Sequence, residues 1–170
     1  MQIQIDSREH KSELKRIQKQ LDRLDVSYFV SKLYVGDYMS LDNPRLVIDR
    51  KKDLQELCGN VTQQHERFRS ELVRAQKNGI HLVILCEHGE GIQDLTDVIF
   101  WQNPRLEEME WVMRDGHPMK VYKYPKATRG DQLYKSLCTI KDRYGVEFRF
   151  CNKTETGAKI VEILGGETDG

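Results

Sequence analysis

The run Ile80-His81-Leu82-Val83-Ile84-Leu85-Cys86 constrains this chain more than any other stretch. It is almost continuously apolar, which is the pattern of a strand buried on both faces. Leu46-Val47-Ile48 is a shorter run of the same kind. Between the two lie about thirty residues with helical spacing. Strand, helix and strand in that order imply an α/β fold, with helices packed on a mixed central sheet.

The residues just after Ile48 carry the chemistry. Residues i and i+2 of a strand point to one face, so Asp49 and Lys51 share a face and Arg50 leaves from the other. Val35 to Ser40 reads as the partner strand, and Asp42-Asn43-Pro44 is a turn-forming cluster. A hairpin centred near Asn43 sets Asp37 opposite Asp49. Opposed like charges destabilise a sheet. On that pairing alone, Asp49→Asn is expected to stabilise the metal-free protein. A hard divalent cation held by both carboxylates relieves the repulsion, with water and a substrate phosphate in the remaining positions. Lys51 then lies beside the attacking water or the phosphate. The competing reading is a solvated edge whose charges only discourage aggregation.

Gln2 to Ile5 alternates as a strand does and ends in Asp6-Ser7-Arg8-Glu9. Leu14, Ile17, Leu21 and Leu24 predict a helix from about Glu9 to Leu24. Ser7 or Asp6 suits its cap and Glu9 its dipole; alternatively, Asp6 or Glu9 adds a carboxylate to the metal site. Val26 to Val30 is a further strand. A short helix is expected from Asp53, ending at Gly59-Asn60, and a longer one from Val61 to Asn78, closed by Gly79. Arg67, Glu71 and Arg74 fall on one stripe of that helix. The stripe is either an ordinary solvated face or a row of donors for backbone phosphates.

Further on, 91–100 and 104–114 have helical spacing, the second opened by Pro104. Trp101, Met109 and Trp111 suit a core or an exposed partner surface. Met119 to Arg129 interleaves Lys120, Lys123 and Lys126 with Tyr122 and Tyr124, either as an edge strand or as a loop that stacks unpaired bases and meets phosphates. Gln132 to Tyr144 predicts a helix capped by Asp131 and ended by Gly145. A strand to Phe150 and a helix to Leu164 complete the chain's regular elements.

The 170 residues carry 27 basic and 27 acidic side chains, so nucleic-acid binding has to rely on a local patch. Cys58, Cys86, Cys138 and Cys151 have neither zinc nor redox spacing, the pattern of a reduced, cytoplasmic protein. No signal peptide or long apolar span is present, so no membrane association is expected.

Five of these segments, in order, resemble the XPF-type structure-specific endonuclease domain, of the restriction-endonuclease-like PD-(D/E)xK superfamily. Asp6-Ser7-Arg8-Glu9 is similar to its D-x-R-E, and Leu33-Tyr34-Val35-Gly36-Asp37-Tyr38 to its L-x-V-G-D-Y. Asp49-Arg50-Lys51 resembles its E-R-K, Arg67-Phe68 with Glu71 and Arg74 its R-F-x-x-Q-x-x-R, and Leu82 to Glu87 its next strand and glutamate. Asp49 replaces a glutamate of that pattern, and Glu71 a glutamine. The resemblance implies a single domain over 1–166, with 89–129 as a variable insertion, 167–170 as a tail, and no tandem helix-hairpin-helix. It implies Mg²⁺- or Mn²⁺-dependent cleavage of branched, flap or fork-like DNA. Asp37 and Asp49 would be ligands, joined by Asp6 or Glu9. Lys51, Arg50 and Glu9 would take part in the chemistry, and Arg8, Arg67 and Arg74 would contact DNA. It also implies a dimer through the C-terminal helix–strand–helix. The family contains inactive members, so a scaffold subunit that pairs with an active nuclease is the alternative.

Overall fold

The computed structural model of the chain describes residues 1–89 and 91–165. The expected domain end at 166 and the tail 167–170 lie outside the described residues.

Six strands form the central sheet: β1 (Gln2–Ile5), β2 (Ser27–Val30), β3 (Tyr38–Ser40), β4 (Asn43–Lys51), β5 (His81–Cys86) and β8 (Glu147–Phe150). Their spatial order is β2-β1-β3-β4-β5-β8. β3 runs antiparallel to both of its neighbours, and the other pairings are parallel. This is the expected mixed sheet flanked by helices. β5 lies between β4 and β8, with Leu82 to Cys86 all buried, as its apolar run requires.

The two faces of the sheet carry separate cores. Val47, Leu82, Ile84, Cys86, Phe148 and Phe150 pack against α2 (Leu54–Thr62), α3 (His65–Lys77) and α4 (Gly130–Tyr144). Ile3, Ile5, Tyr38, Ile48, Val83 and Leu85 pack against α1 (Lys11–Arg23) and α5 (Thr156–Gly165). Each fully buried Leu or Ile contributes about 1.5–3 kcal/mol. The alternation along β4 therefore sends Val47, Asp49 and Lys51 toward α2 and α3, and Ile48 and Arg50 toward α1 and α5.

Several expected boundaries differ. α1 starts at Lys11, with His10 at its N-cap position, because Asp6 and Glu9 are held elsewhere. β3 has only three residues: Val35 to Asp37 lie outside it, and Asn43-Pro44 begin β4 rather than form the turn. α2 continues through Gly59-Asn60, since Gly59 keeps helical backbone, and the break comes at Gln63-Gln64. At α4 the N-cap residue is Arg129, whose N–H donates to Gln132 Oε1 at 2.9 Å.

The largest difference is at 91–122. The expected helices shrink to short 3₁₀ turns, Thr96–Phe100 and Pro104–Glu107. β6 (Met109–Arg114) and β7 (His117–Tyr122) then form a separate antiparallel hairpin. Asp115 and Gly116 turn it with φ of 49° and 77°. An Asp-Gly pair between apolar runs is a strong hairpin signal, and here it outweighs the helical spacing. Trp101 joins the core, whereas Trp111 and Met109 are exposed on the hairpin.

Candidate active site

Gly36 sets the geometry of the site. Its φ is +65°, and a Cβ there would lie 2.5 Å from Val47 Cγ1 and 2.8 Å from Ile48 O. Only glycine tolerates both the conformation and the approach. The bend brings Asp37 against β4: its N–H donates to Ile48 O at 2.7 Å, and its Oδ2 accepts from Arg50 N at 2.8 Å. Tyr38 pairs with Ile48, so carrying that antiparallel register one residue further sets Asp37 opposite Asp49, as the hairpin reading expects.

Asp37 is held well above the usual carboxylate range by burial first, then by the charges of Asp49 and Glu9. Lys51 donates to Asp49 Oδ1 at 3.0 Å, and its ammonium lies 2.8 Å from Oδ2. Asp49 Oδ2 is nevertheless buried without an aligned hydrogen bond from any described residue. Burial pulls Lys51 down, but Asp49 more than offsets it and keeps the ammonium charged. The ammonium also lies 5.4 Å from the Phe68 ring centroid, a favourable cation–π distance.

These three side chains line a cavity of about 600 Å³, together with Glu71, Arg8, Arg67 and Arg74. Glu71 Oε1 accepts from Gly36 N at 3.1 Å, so α3 buttresses the bend. Burial, then Asp49, raises its carboxyl. Arg67, Glu71 and Arg74 thus reach the cavity on the stripe that their spacing implies. Arg74 also covers the Tyr34 ring at 5.3 Å. Glu56, from the first turn of α2, completes a rim that sequence reasoning missed, because nothing in its spacing ties it to Asp37.

Asp6, Glu9 and Arg50 have other engagements. Asp6 is buried, and its carboxylate is taken up by the Arg8 guanidinium and backbone N–H. It does not line the cavity. Glu9 touches the rim, but both of its oxygens are occupied, by Arg50 at 2.7 and 3.2 Å and by the Tyr38 hydroxyl at 2.8 Å. Arg50 borders the cavity too, but its guanidinium turns to the opposite face, where Nη1 meets Glu87 at 3.0 Å. Glu87 in turn accepts from Arg16 at 2.5 Å and from Thr156 Oγ1 at 2.6 Å. This network ties β1, α1, β4, β5 and α5 together. Nothing in the local spacing of Arg16 or Thr156 ties either of them to Glu87.

Lys120, Tyr122, Lys123, Tyr124 and Lys126 do not line this cavity. Lys120 and Tyr122 lie on β7. Lys123, Tyr124 and Lys126 border a second cavity on the far side of α2.

Among the described residues, no three acidic, His or Cys side chains form a metal cage. A hard cation of the Mg²⁺ type needs fewer: one or two carboxylates, with water and phosphate completing its sphere. Two carboxylates that repel each other at one cavity, Asp37 and Asp49, fit that requirement.

Two solved structures share the fold over 96% of this chain: XPF from Aeropyrum pernix, with a TM-score of 0.62, and the same protein in complex with DNA, with a TM-score of 0.61. Each is 18% identical, and the match spans 63% of its chain. No curated protein matched. Among the described residues, no helix is long and apolar enough to cross a membrane. The ERCC4 domain model matches residues 5–164, and the chain therefore belongs to the ERCC4 domain family.

Proposed function

We propose that the chain is a metal-dependent endonuclease that hydrolyses DNA phosphodiester bonds in branched, flap or fork-like substrates. The convergence of Asp37, Asp49 and Lys51 in one cavity rimmed by arginines carries this reading. Asp37 and Asp49 would hold Mg²⁺ or Mn²⁺. The cation, when bound, supplies Lewis-acid polarisation of the phosphoryl oxygen and a more acidic water. Lys51, fixed by Asp49 and Phe68, orients the nucleophilic water and offsets charge that develops on the phosphoryl group. Arg8, Arg67 and Arg74 meet phosphates on either side. Asp6 positions Arg8. Glu9 and Arg50 hold the strand ends rigid instead of touching the reacting atoms, and the Arg50 N–H orients Asp37.

DNA as partner agrees with the complex solved for the Aeropyrum protein. Four free cysteines accord with a reducing, cytoplasmic setting. β8 is an outer strand of the sheet, which leaves an edge for a second copy to use.

The test is cleavage of labelled flap, fork and plain duplex DNA with Mg²⁺ or Mn²⁺. Wild type should cut the branched substrates, and Asp49→Asn should lose at least about a hundred-fold of that rate, the scale of one electrostatic catalytic group. If both proteins bind DNA and neither cuts it with either cation, the scaffold reading replaces this one.

A further inference from the structure

The second cavity, about 450 Å³, lies between α2 and the 123–128 loop. Such a volume suits a small planar ligand. Tyr124 lines it, with the Arg105 guanidinium 5.2 Å and the Lys123 ammonium 5.1 Å from its ring centroid. Both cations lie over the ring, so a base that stacks on Tyr124 displaces one of them, and the displaced cation is then placed to meet that base's phosphate. Lys126 adds a further cation to the same wall.

A second, independent feature lies on the α2 wall of the cavity. Gln55 lines it, and its Oε1 is buried with no hydrogen-bond partner among the described residues. Leaving a buried acceptor empty is unfavourable, so a ligand donor that reaches it as the side-chain amide turns toward the cavity is favoured. Gly59, one turn further along α2, also lines the cavity, and a Cβ there would meet nothing within 4 Å. Glycine inside a helix is unfavourable. Here it leaves open a space that a larger side chain would fill.

The position relative to the catalytic cavity is equally informative. Gln55 and Glu56 are consecutive residues, and each lines a different cavity. The two openings are therefore separated by little more than the width of one helix, about 10 Å. A strand whose phosphate is at Asp49 needs only a few nucleotides to reach Tyr124.

We propose that this cavity captures an unpaired nucleobase of the DNA substrate, flipped from the strand near the cleaved phosphate. The base stacks on Tyr124 and donates from an exocyclic amino group to Gln55 Oε1, and its flanking phosphates meet Lys123, Lys126 and Arg105. The side-chain amide favours adenine or cytosine over thymine. This rests on the nuclease reading and adds a base-holding site to it.

The experiment measures binding without metal, so that it does not depend on cleavage. A single-stranded oligonucleotide carrying one 2-aminopurine, in a thymine context, is titrated with wild type, Tyr124→Ala, Tyr124→Phe, Gln55→Ala and Gly59→Leu in EDTA. Stacking should quench 2-aminopurine fluorescence. Tyr124→Ala should weaken binding about ten-fold and lose the quench, and Tyr124→Phe should keep both. Gln55→Ala should lose about five-fold of the preference for adenine over thymine oligonucleotides. Gly59→Leu, which keeps every charge and whose Cβ meets nothing within 4 Å, should block the quench with an unchanged circular dichroism spectrum. Equal quenching and affinity for wild type, Tyr124→Ala and Gly59→Leu would overturn the proposal. Quenching that needs Tyr124 without any cleavage under Mg²⁺ would keep the base site and reject the nuclease reading; cleavage without quenching would do the reverse.

Discussion

Arg50 and Lys51 are consecutive on β4, and their charges sit on opposite sides of the sheet. The Arg50 guanidinium is fixed by Glu9 and Glu87 beneath α1 and α5, while the Lys51 ammonium lies 2.8 Å from Asp49 beside α3. The two-residue period of a strand produces this separation. Both residues border the cavity, but the Arg50 guanidinium is committed to the scaffold carboxylates and only the Lys51 ammonium is left beside Asp49.

The ion pair at Asp49 reverses a sign expected from opposed carboxylates alone. Asp49→Asn removes repulsion, but it leaves Lys51 as a buried cation with one partner fewer. Metal-free Asp49→Asn is therefore expected to lose about 2 kcal/mol, part of the 3–5 that a broken buried pair costs. Asp37→Asn behaves differently, because an amide oxygen still accepts from Arg50 N while the charge disappears. It should be more stable than wild type at pH 8, and the gain should vanish below the ordinary aspartate pKa of about 4. Thermal melts in EDTA across that range check both. A more stable Asp49→Asn protein would mean that Lys51 does not depend on Asp49.

Arg50 is expected to be a stability residue first. Arg50→Met leaves Glu87, whose side chain has no exposure, with Arg16 and Thr156 alone. A loss of about 3–5 kcal/mol in urea denaturation is expected. Arg50→Lys should recover little of it, since one ammonium cannot bridge Glu9 and Glu87 as a planar fork does. A variant that is fully stable yet inactive would instead put Arg50 in the chemistry.

The same network sets a pH dependence. Burial pushes Glu9 upward, but the hydrogen bond and charge of Arg50, together with Tyr38, outweigh it and leave the carboxyl below its usual value. A carboxylate with a depressed folded pKa stabilises above its unfolded pKa, about 4.3, and loses that contribution as pH falls through the folded value. Glu9→Gln should therefore be less stable than wild type at pH 7 and converge with it as the pH falls below the ordinary glutamate value and through the folded one. Urea midpoints measured over that interval decide; parallel curves would show that Glu9 does not titrate with folding.

How much of this was legible depended on whether the signal was local. The face shared by Asp49 and Lys51 follows from the strand period, and the burial of β5 from its apolar run. The bend at Gly36 was visible only as a glycine; that it is compulsory depends on Val47 and Ile48 pressing against it. The engagement of Asp6 and Glu9 by arginines was invisible as an outcome, because a carboxylate after a strand suits a cap, a ligand or an ion pair equally. The 109–122 hairpin was legible in principle from Asp115-Gly116, but Pro104 and the spacing of apolar residues favoured a helix. Glu87 meets Thr156 across 69 residues, a contact that no local pattern encodes.

The two tryptophans should behave oppositely. Trp101 is 7% exposed in the α4-side core, and Trp111 is 71% exposed on β6. Trp101→Ala is expected to cost about 3–5 kcal/mol and Trp111→Ala less than about 0.5. Emission should be blue-shifted in the Trp111→Ala protein, which keeps only the buried ring, and red-shifted in a folded Trp101→Phe protein. Equal emission maxima for the two variants would contradict these positions.

Metal binding should release protons. In the metal-free chain, burial and Asp49 hold Asp37 well above its ordinary pKa, and burial and Asp49 likewise raise Glu71. A ligand carboxyl must be ionised to coordinate, so uptake of Mg²⁺ or Mn²⁺ displaces whatever proton it carries. The apparent affinity should rise with pH and level off above the folded pKa of Asp37. Calorimetric titration of Mn²⁺ into the protein, in two buffers of different ionisation enthalpy, measures the release directly. Asp37→Asn should abolish most of the release and weaken binding, whereas Glu9→Gln should leave the stoichiometry of one site intact, because both Glu9 oxygens are already held by Arg50 and Tyr38. Identical heats in the two buffers at a pH near 6 would show that Asp37 is already ionised, and the repulsion with Asp49 would then be relieved by Lys51 alone.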